Sequence, residues 1–312
     1  MQLFLIRHGE TVDNVAGLYA GIRDSALTTH GVLQTRRLAD HLSSNVRATH
    51  VFSSDLQRAF RTATALCNAQ ERSDGQPVLT VERLTELREK NFGSGEGTKF
   101  SVSRNERAAH VGSESPEAMR ARADIFLNDH LLPLLQSETE AQPIVCIVVA
   151  HGLILSSLFK ALSARVAGQM TVSIEAQQKL SLASGPDDSI RLPSWSNTGF
   201  LECKLSVLSN ASTGNSSMHQ NENRQSASNN GTEQFLKMHI LRVNCTAHLL
   251  GLKKTRGGIG SAQFDDKQKT LSSFFSAVAP SSKKRKSVDD ATASNKKVCN
   301  CHSALSYLPR AM

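Results

Sequence analysis

The chain has 312 residues, 39% of them hydrophobic, enough to bury a sizeable core in one large domain or two ordinary ones. Its net charge of +8 is uneven: from Lys253 onward 12 Lys and Arg stand against 4 Asp and Glu, which leaves 24 against 24 for residues 1 to 252. A neutral body with a basic tail argues against a nucleic-acid-binding body and makes the tail an address or contact segment.

No apolar run approaches the ~18 residues of a membrane span, and the opening run stops at Arg7, too early for a signal peptide. The six cysteines (Cys67, Cys146, Cys203, Cys245, Cys299, Cys301) show no repeated CxxC, so reduced thiols in an intracellular protein are expected. In chain order, residues 3 to 6 read as a strand. A helix follows from Thr29 with Thr28 as cap and Leu33, Leu38 and Leu42 turned inward. Val51 and Phe52 suggest a second strand. The stretch 53 to 66 opens with capping residues and carries Leu56, Phe60, Ala63 and Leu66 near helical spacing. Ser115 as cap and Pro116 at the first helical position start a helix over 115 to 135. The run "IVCIVVA" (144 to 150) is apolar without alternation, as in a strand covered on both faces, and "HGLILSSLFKAL" returns to helix. Strands alternating with helices imply an α/β sandwich.

Residues 164 to 196 are mixed. The Ser/Asn-rich stretch 209 to 232 has almost no large apolar groups and cannot repay its ordering entropy, so it is expected to be a disordered insertion. Strand-like alternation resumes over 235 to 243. The folded domain is therefore expected to span 1 to 252, with 253 to 312 a basic, largely disordered tail.

Two stretches carry the chemistry. Arg7-His8-Gly9 ends the first strand, and Ala150-His151-Gly152 ends the buried one. A histidine there projects into the crevice at the strand's carboxyl end. Arg7 offers a planar charged fork to phosphate oxygens, and Arg58 adds a second beside helix-terminal N–H groups. Any one of these residues reads equally as a strand cap or a solvated arginine.

Together they resemble the histidine phosphatase superfamily, the phosphoglycerate mutase-like family. The matching motifs, in the family's order, are Arg7-His8-Gly9-Glu10-Thr11 with Asn14, "FSSDLQRAFRTA" with Arg58, "LREKNFGSGEG" (87 to 97) with Glu89, and His151-Gly152. The resemblance implies a mixed, mostly parallel central sheet flanked by helices on both faces. It further implies phosphoryl transfer through a phosphohistidine: His8 attacks phosphorus while Arg7, Arg58 and His151 neutralise charge on the equatorial oxygens, with no cofactor and no metal. Glu89 would protonate the leaving alkoxide and then activate water, with Glu86 as fallback. Gly9, Glu10, Thr11, Asn14 and Gly21 join Arg7 and Arg58 as expected substrate contacts.

"ATHVFSSDLQRA", "SNTGF" (196 to 200) and "LRVNCTAHLLG" (241 to 251) look like the fructose-2,6-bisphosphatase and TIGAR-type members, which act on sugar bisphosphates and related small phosphoesters. The short segment between Gly97 and Ser115 favours water as acceptor, hence phosphatase over phosphoglycerate mutase. Gly95 departs from the bulky residue many members carry.

In the tail, Gln268, Leu271, Phe274 and Phe275 (268 to 275) resemble a PIP box, the motif that docks on the sliding clamp PCNA. The competing reading is a terminal helix packing its aromatics on the body. The basic cluster 283 to 297 resembles a bipartite nuclear localisation signal read by import receptors, against which stands a solvated charge run. A nuclear and cytoplasmic enzyme is expected, with a small phosphorylated metabolite as partner and no direct nucleic acid or membrane contact. From a different class comes the alternative of a clamp-binding adaptor with a vestigial phosphatase fold. Cys299, Cys301 and His302 fall short of a zinc pattern.

Overall fold

In β1 (Gln2–Arg7) side chains alternate between two cores, Leu3 and Leu5 in one and Phe4 and Ile6 in the other, so the strand is covered on both faces. The computed structural model describes residues 1–70, 78–100, 110–166, 168–182, 190–207, 236–254 and 258–267. Its main sheet has seven strands in the order β3-β2-β4-β1-β8-β9-β5. These are β2 (His50–Ser54), β3 (Val81–Leu84), β4 (Val145–Ala150), β5 (Met170–Val172), β8 (Phe200–Val207) and β9 (Leu236–Cys245) around β1, while β6 (Ser181–Leu182) and β7 (Ile190–Arg191) pair separately. The pairs β1–β4, β2–β4, β2–β3 and β5–β9 are parallel; β8 runs antiparallel to both β1 and β9. This is the mixed, mostly parallel α/β sheet expected.

Helices α2 (Thr29–Asn45) and α3 (Gln57–Ala69), with short α1 (Val12–Ala16) ahead of them, follow β1 and β2. Leu38, Leu42, Ala59 and Leu66 pack on Phe4, Ile6, Ile147 and Val149. The other face is covered by α4 (Pro116–Phe126) and α6 (Gly152–Val166), through Ala123, Phe126, Ile154 and Leu158. Short α5 (Leu132–Ser137) and α7 (Ile174–Gln177) complete the set. Helix starts follow the sequence signals: Thr28 accepts from Gly31 N–H, and Ser115 from Ala118 N–H.

Four expectations are corrected in detail. Leu33 is 38% exposed, because Gly31, Gln34 and Thr35 take the inward face of that turn. Ser53 and Ser54 belong to β2, and α3 is capped from a distance, its Gln57 N–H donating to Asp24 Oδ1 at 3.0 Å. The 115–135 helix is broken by a π turn over Leu127–Leu131, just ahead of Pro133, which has no N–H to continue the ladder. Finally, the folded unit does not close at 252. It spans Met1–Asp266, with Thr29 N–H donating to Ala262 C=O at 3.0 Å and Phe264 N–H to Leu27 C=O at 3.0 Å.

Among the described residues, Cys146, Cys203 and Cys245 are free thiols. Among the described residues no helix is long and apolar enough to cross a membrane. The expected insertion 209 to 232, the PIP-box-like residues 268 to 275, the basic cluster 283 to 297 and the group Cys299, Cys301 and His302 lie outside the described residues.

Candidate active site

The site grows out of one strand pairing. β1 and β4 are parallel neighbours with Arg7 opposite Ala150, so the next residue on each strand, His8 and His151, leaves the sheet at the same edge. His8 N–H donates to Ala150 C=O at 3.1 Å, and the two imidazole rings stand 5.0 Å apart. Gly9 makes the turn possible by packing. A Cβ there would lie 2.7 Å from Thr35 Oγ1 and 2.8 Å from the Gly31 carbonyl, so only a bare Cα lets the loop rest on the first turn of α2.

His8 is 4% exposed and His151 fully buried. The pKa of each is held well below 6.5, first by desolvation and then by the nearby Arg58 guanidinium, with Arg7 adding to it, so both rings are neutral at pH 7. Their hydrogen bonds assign opposite tautomers. His8 Nδ1 lies 2.7 Å from the Gly9 carbonyl, which only accepts, so Nδ1 carries the hydrogen and Nε2 keeps its lone pair. His151 Nδ1 accepts from Arg58 Nε at 3.2 Å, so its hydrogen sits on Nε2, which is buried without a partner among the described residues.

Arg58, in the first turn of α3, is almost wholly enclosed. Its two terminal nitrogens donate to the carbonyls of Arg23 and Gly21, each at 2.7 Å. Burial brings its pKa down to about 10, opposed by Glu89, Asp24 and Asp13, and it stays charged at neutral pH. Arg7 Nη1 donates to the Trp195 carbonyl, and Arg7 Nε is a second buried donor without a partner among the described residues. Two unpartnered buried donors beside a free imidazole lone pair describe a place prepared for an anion.

Arg7, His8, Asn14, Gly21, Arg58 and Glu89 all line one cavity of about 610 Å³, and His151 stands against His8. Glu89 sits over the start of α6: its carboxylate accepts from Lys90 N–H (2.9 Å), Leu153 N–H (3.2 Å) and Ile154 N–H (3.3 Å). Glu86 does not line this cavity. Gly9, Glu10 and Thr11, expected as substrate contacts, do not line it either. Gly9 N–H is held by Thr62 Oγ1, Glu10 by Thr28 and Lys254, and Thr11 caps α1. They support the loop that carries His8.

Sequence reasoning missed a second layer. Thr198, at φ +57° in a region β-branched residues avoid, donates its N–H to the carbonyls of Arg7 (3.0 Å) and His8 (3.2 Å). Asn197 Nδ2 reaches the His8 carbonyl at 3.2 Å and Asn14 Oδ1 at 3.0 Å. Their only signal was the "SNTGF" likeness. Leu192 to Trp195 form one wall of the cavity, within a stretch that reads as featureless.

A family model for the histidine phosphatase superfamily (branch 1) matches residues 3–198. The chain is 30% identical over 280 residues to a "Probable phosphatase" of Schizosaccharomyces pombe, covering 88% of this chain and 79% of that protein. It is 35% identical over 151 residues to the fructose-2,6-bisphosphatase TIGAR of Xenopus tropicalis, spanning 45% of this chain and about half, 53%, of that relative. Among solved structures, a mycobacterial hydrolase shares the fold with a TM-score of 0.53 at 20% identity, over 78% of this chain and 98% of its own. Since the matched span runs from β1 through both His-Gly strand ends to the turn that holds them, the chain belongs to the histidine phosphatase superfamily, as a phosphatase-type enzyme.

Proposed function

We propose that the protein hydrolyses small phosphoesters, sugar bisphosphates such as fructose 2,6-bisphosphate among them, through a phosphohistidine on His8 and without need of a metal. The observation that carries this reading is the complementary pair of tautomers: a lone pair on His8 Nε2 and an unpartnered N–H on His151 Nε2, 5.0 Å apart between ring centres. The His8 lone pair forms the N–P bond in line as the P–O bond to the leaving group breaks. Arg7, Arg58 and His151 meet the charge on the phosphoryl oxygens, the office a metal ion fills elsewhere. Water then attacks the phosphohistidine, releasing phosphate and the free imidazole.

Glu89 is the acid and base of this scheme. In the free protein both its oxygens accept backbone N–H groups, the arrangement of a proton acceptor, which suits activation of water in the second half. In the first half Glu89 takes up the proton carried by the substrate monoanion, whose second pKa is near ~6, and passes it to the leaving alkoxide.

Phosphate release with an acid-labile phosphoenzyme on His8, unaffected by EDTA and abolished in His8→Ala, is expected. No turnover of sugar bisphosphates, phosphoglycerates, nucleotides or phosphopeptides by pure protein sinks the proposal. Phosphoglycerate isomerisation faster than phosphate release would make it a mutase instead.

For the tail, docking of residues 268 to 275 on the sliding clamp and nuclear import through 283 to 297 rest on the motifs alone. Clamp capture that survives Phe274→Ala with Phe275→Ala removes the docking proposal. The adaptor alternative requires a dead pocket, and the complete set Arg7, His8, Arg58, Glu89 and His151 favours an active one.

A further inference from the structure

Gly95 is a glycine for the sake of a neighbour. Its φ is not in the left-handed region, yet a Cβ at this position would lie 2.5 to 2.7 Å from the His110 ring. Such contacts do not occur in real proteins, so any larger residue at 95 displaces the imidazole. The backbone just after His110 is pinned to the 91–94 segment: Ser94 N–H donates to Val111 C=O at 3.0 Å, Val111 N–H to Ser94 Oγ at 3.0 Å, and Glu114 N–H to Asn91 C=O at 2.8 Å. His110 thus stands in space a bulky side chain at 95 would fill.

His110 belongs to the wall of the cavity that His8 also lines. Tyr19 packs against Phe92 at a tilt (ring centres 4.5 Å) and meets Phe100 edge-on (4.8 Å), and His110 stands edge-on to Tyr19 at 5.9 Å. All four rings line the same cavity as His8. His110 Nε2 is buried against Gly95, with no hydrogen-bond partner among the described residues. A wall of aromatic rings holds flat, partly apolar groups, and gives a flexible open chain little to pack on.

We propose that His110, seated over Gly95, is a specificity-determining residue that selects phosphomonoesters whose leaving group carries a ring over those with an open-chain leaving group. The proposal rests on the phosphatase reading above and narrows it. It places the selectivity in the wall and leaves the phosphoryl chemistry to His8 and its partners.

The test uses primary alkyl phosphates with leaving groups of similar basicity, so that binding alone separates them. The ring-bearing set is fructose 6-phosphate, benzyl phosphate and a nucleoside 5′-monophosphate; the open-chain set is glycerol 3-phosphate and 3-phosphoglycerate. Wild-type kcat/KM is expected to favour the ring-bearing set by about 10-fold or more. His110→Ala and Gly95→Val each should lower that ratio about 5-fold, and the double variant should match the single ones, because valine at 95 acts by evicting the ring. His110→Phe, which keeps a ring, should restore most of the preference. A ratio unchanged in His110→Ala while turnover persists, or singles whose effects multiply in the double, overturns the assignment and leaves the phosphatase reading standing. Absence of turnover in the wild type overturns both.

Discussion

Arg58 donates its Nε hydrogen to Nδ1 of His151 across 3.2 Å, joining the first turn of α3 to the end of β4 over 93 residues of chain. The same guanidinium binds the carbonyls of Arg23 and Gly21. One buried side chain therefore fixes a histidine tautomer, anchors the 21–23 loop and contributes charge to the cavity.

Arg58→Lys keeps the charge and loses the fork, since one ammonium cannot serve three partners in those directions. It should lower kcat/KM about 100-fold or more and reduce thermal stability; Arg58→Lys with near-wild-type turnover would remove Arg58 from the machinery.

The acid limb of the kcat/KM profile should lie below that of an ordinary histidine, because burial and the two arginines hold His8 and His151 neutral. Stability follows the same sign. His248, its pKa lowered to about 4 by burial and then by His41, is neutral when folded and takes up a proton on unfolding. Its contribution is present above about 6.5 and is lost as pH falls from there toward about 4. Melting temperatures should therefore decline over that window, with a shallower slope in His248→Gln.

Glu89→Gln separates the two half-reactions. With p-nitrophenyl phosphate, whose leaving group departs without a proton, phosphorylation of His8 should proceed while hydrolysis of the phosphoenzyme slows about 100-fold, giving a burst of nitrophenol. A steady-state rate without a burst, close to wild type, would relieve Glu89 of the role.

Truncation tests where the folded unit ends. A chain stopped after Asp266 should melt as the full chain does. One stopped after Leu252 loses the Ala262 and Phe264 backbone pairings with Thr29 and Leu27 and should melt a few degrees lower. The Lys254–Glu10 ion pair is partly exposed and adds little to that loss.

The sequence by itself marked out four of the strands, the Thr28 and Ser115 caps and the candidate site residues Arg7, His8, Arg58, Glu89 and His151. Apolar runs ending in His-Gly, and Ser115 followed by Pro116, are local signals, and local steric and hydrogen-bonding rules act within a few residues. Tertiary structure alone decided which groups face each other: that the Arg7–Ala150 register sets His8 beside His151, that Thr198 bends into a strained conformation to hold both catalytic-loop carbonyls, that residues 258 to 266 pack back on the α2 start, and that Gly95 makes room for His110. Each of these is a contact between segments distant in the chain, and its energy depends on packing that no single stretch of sequence encodes.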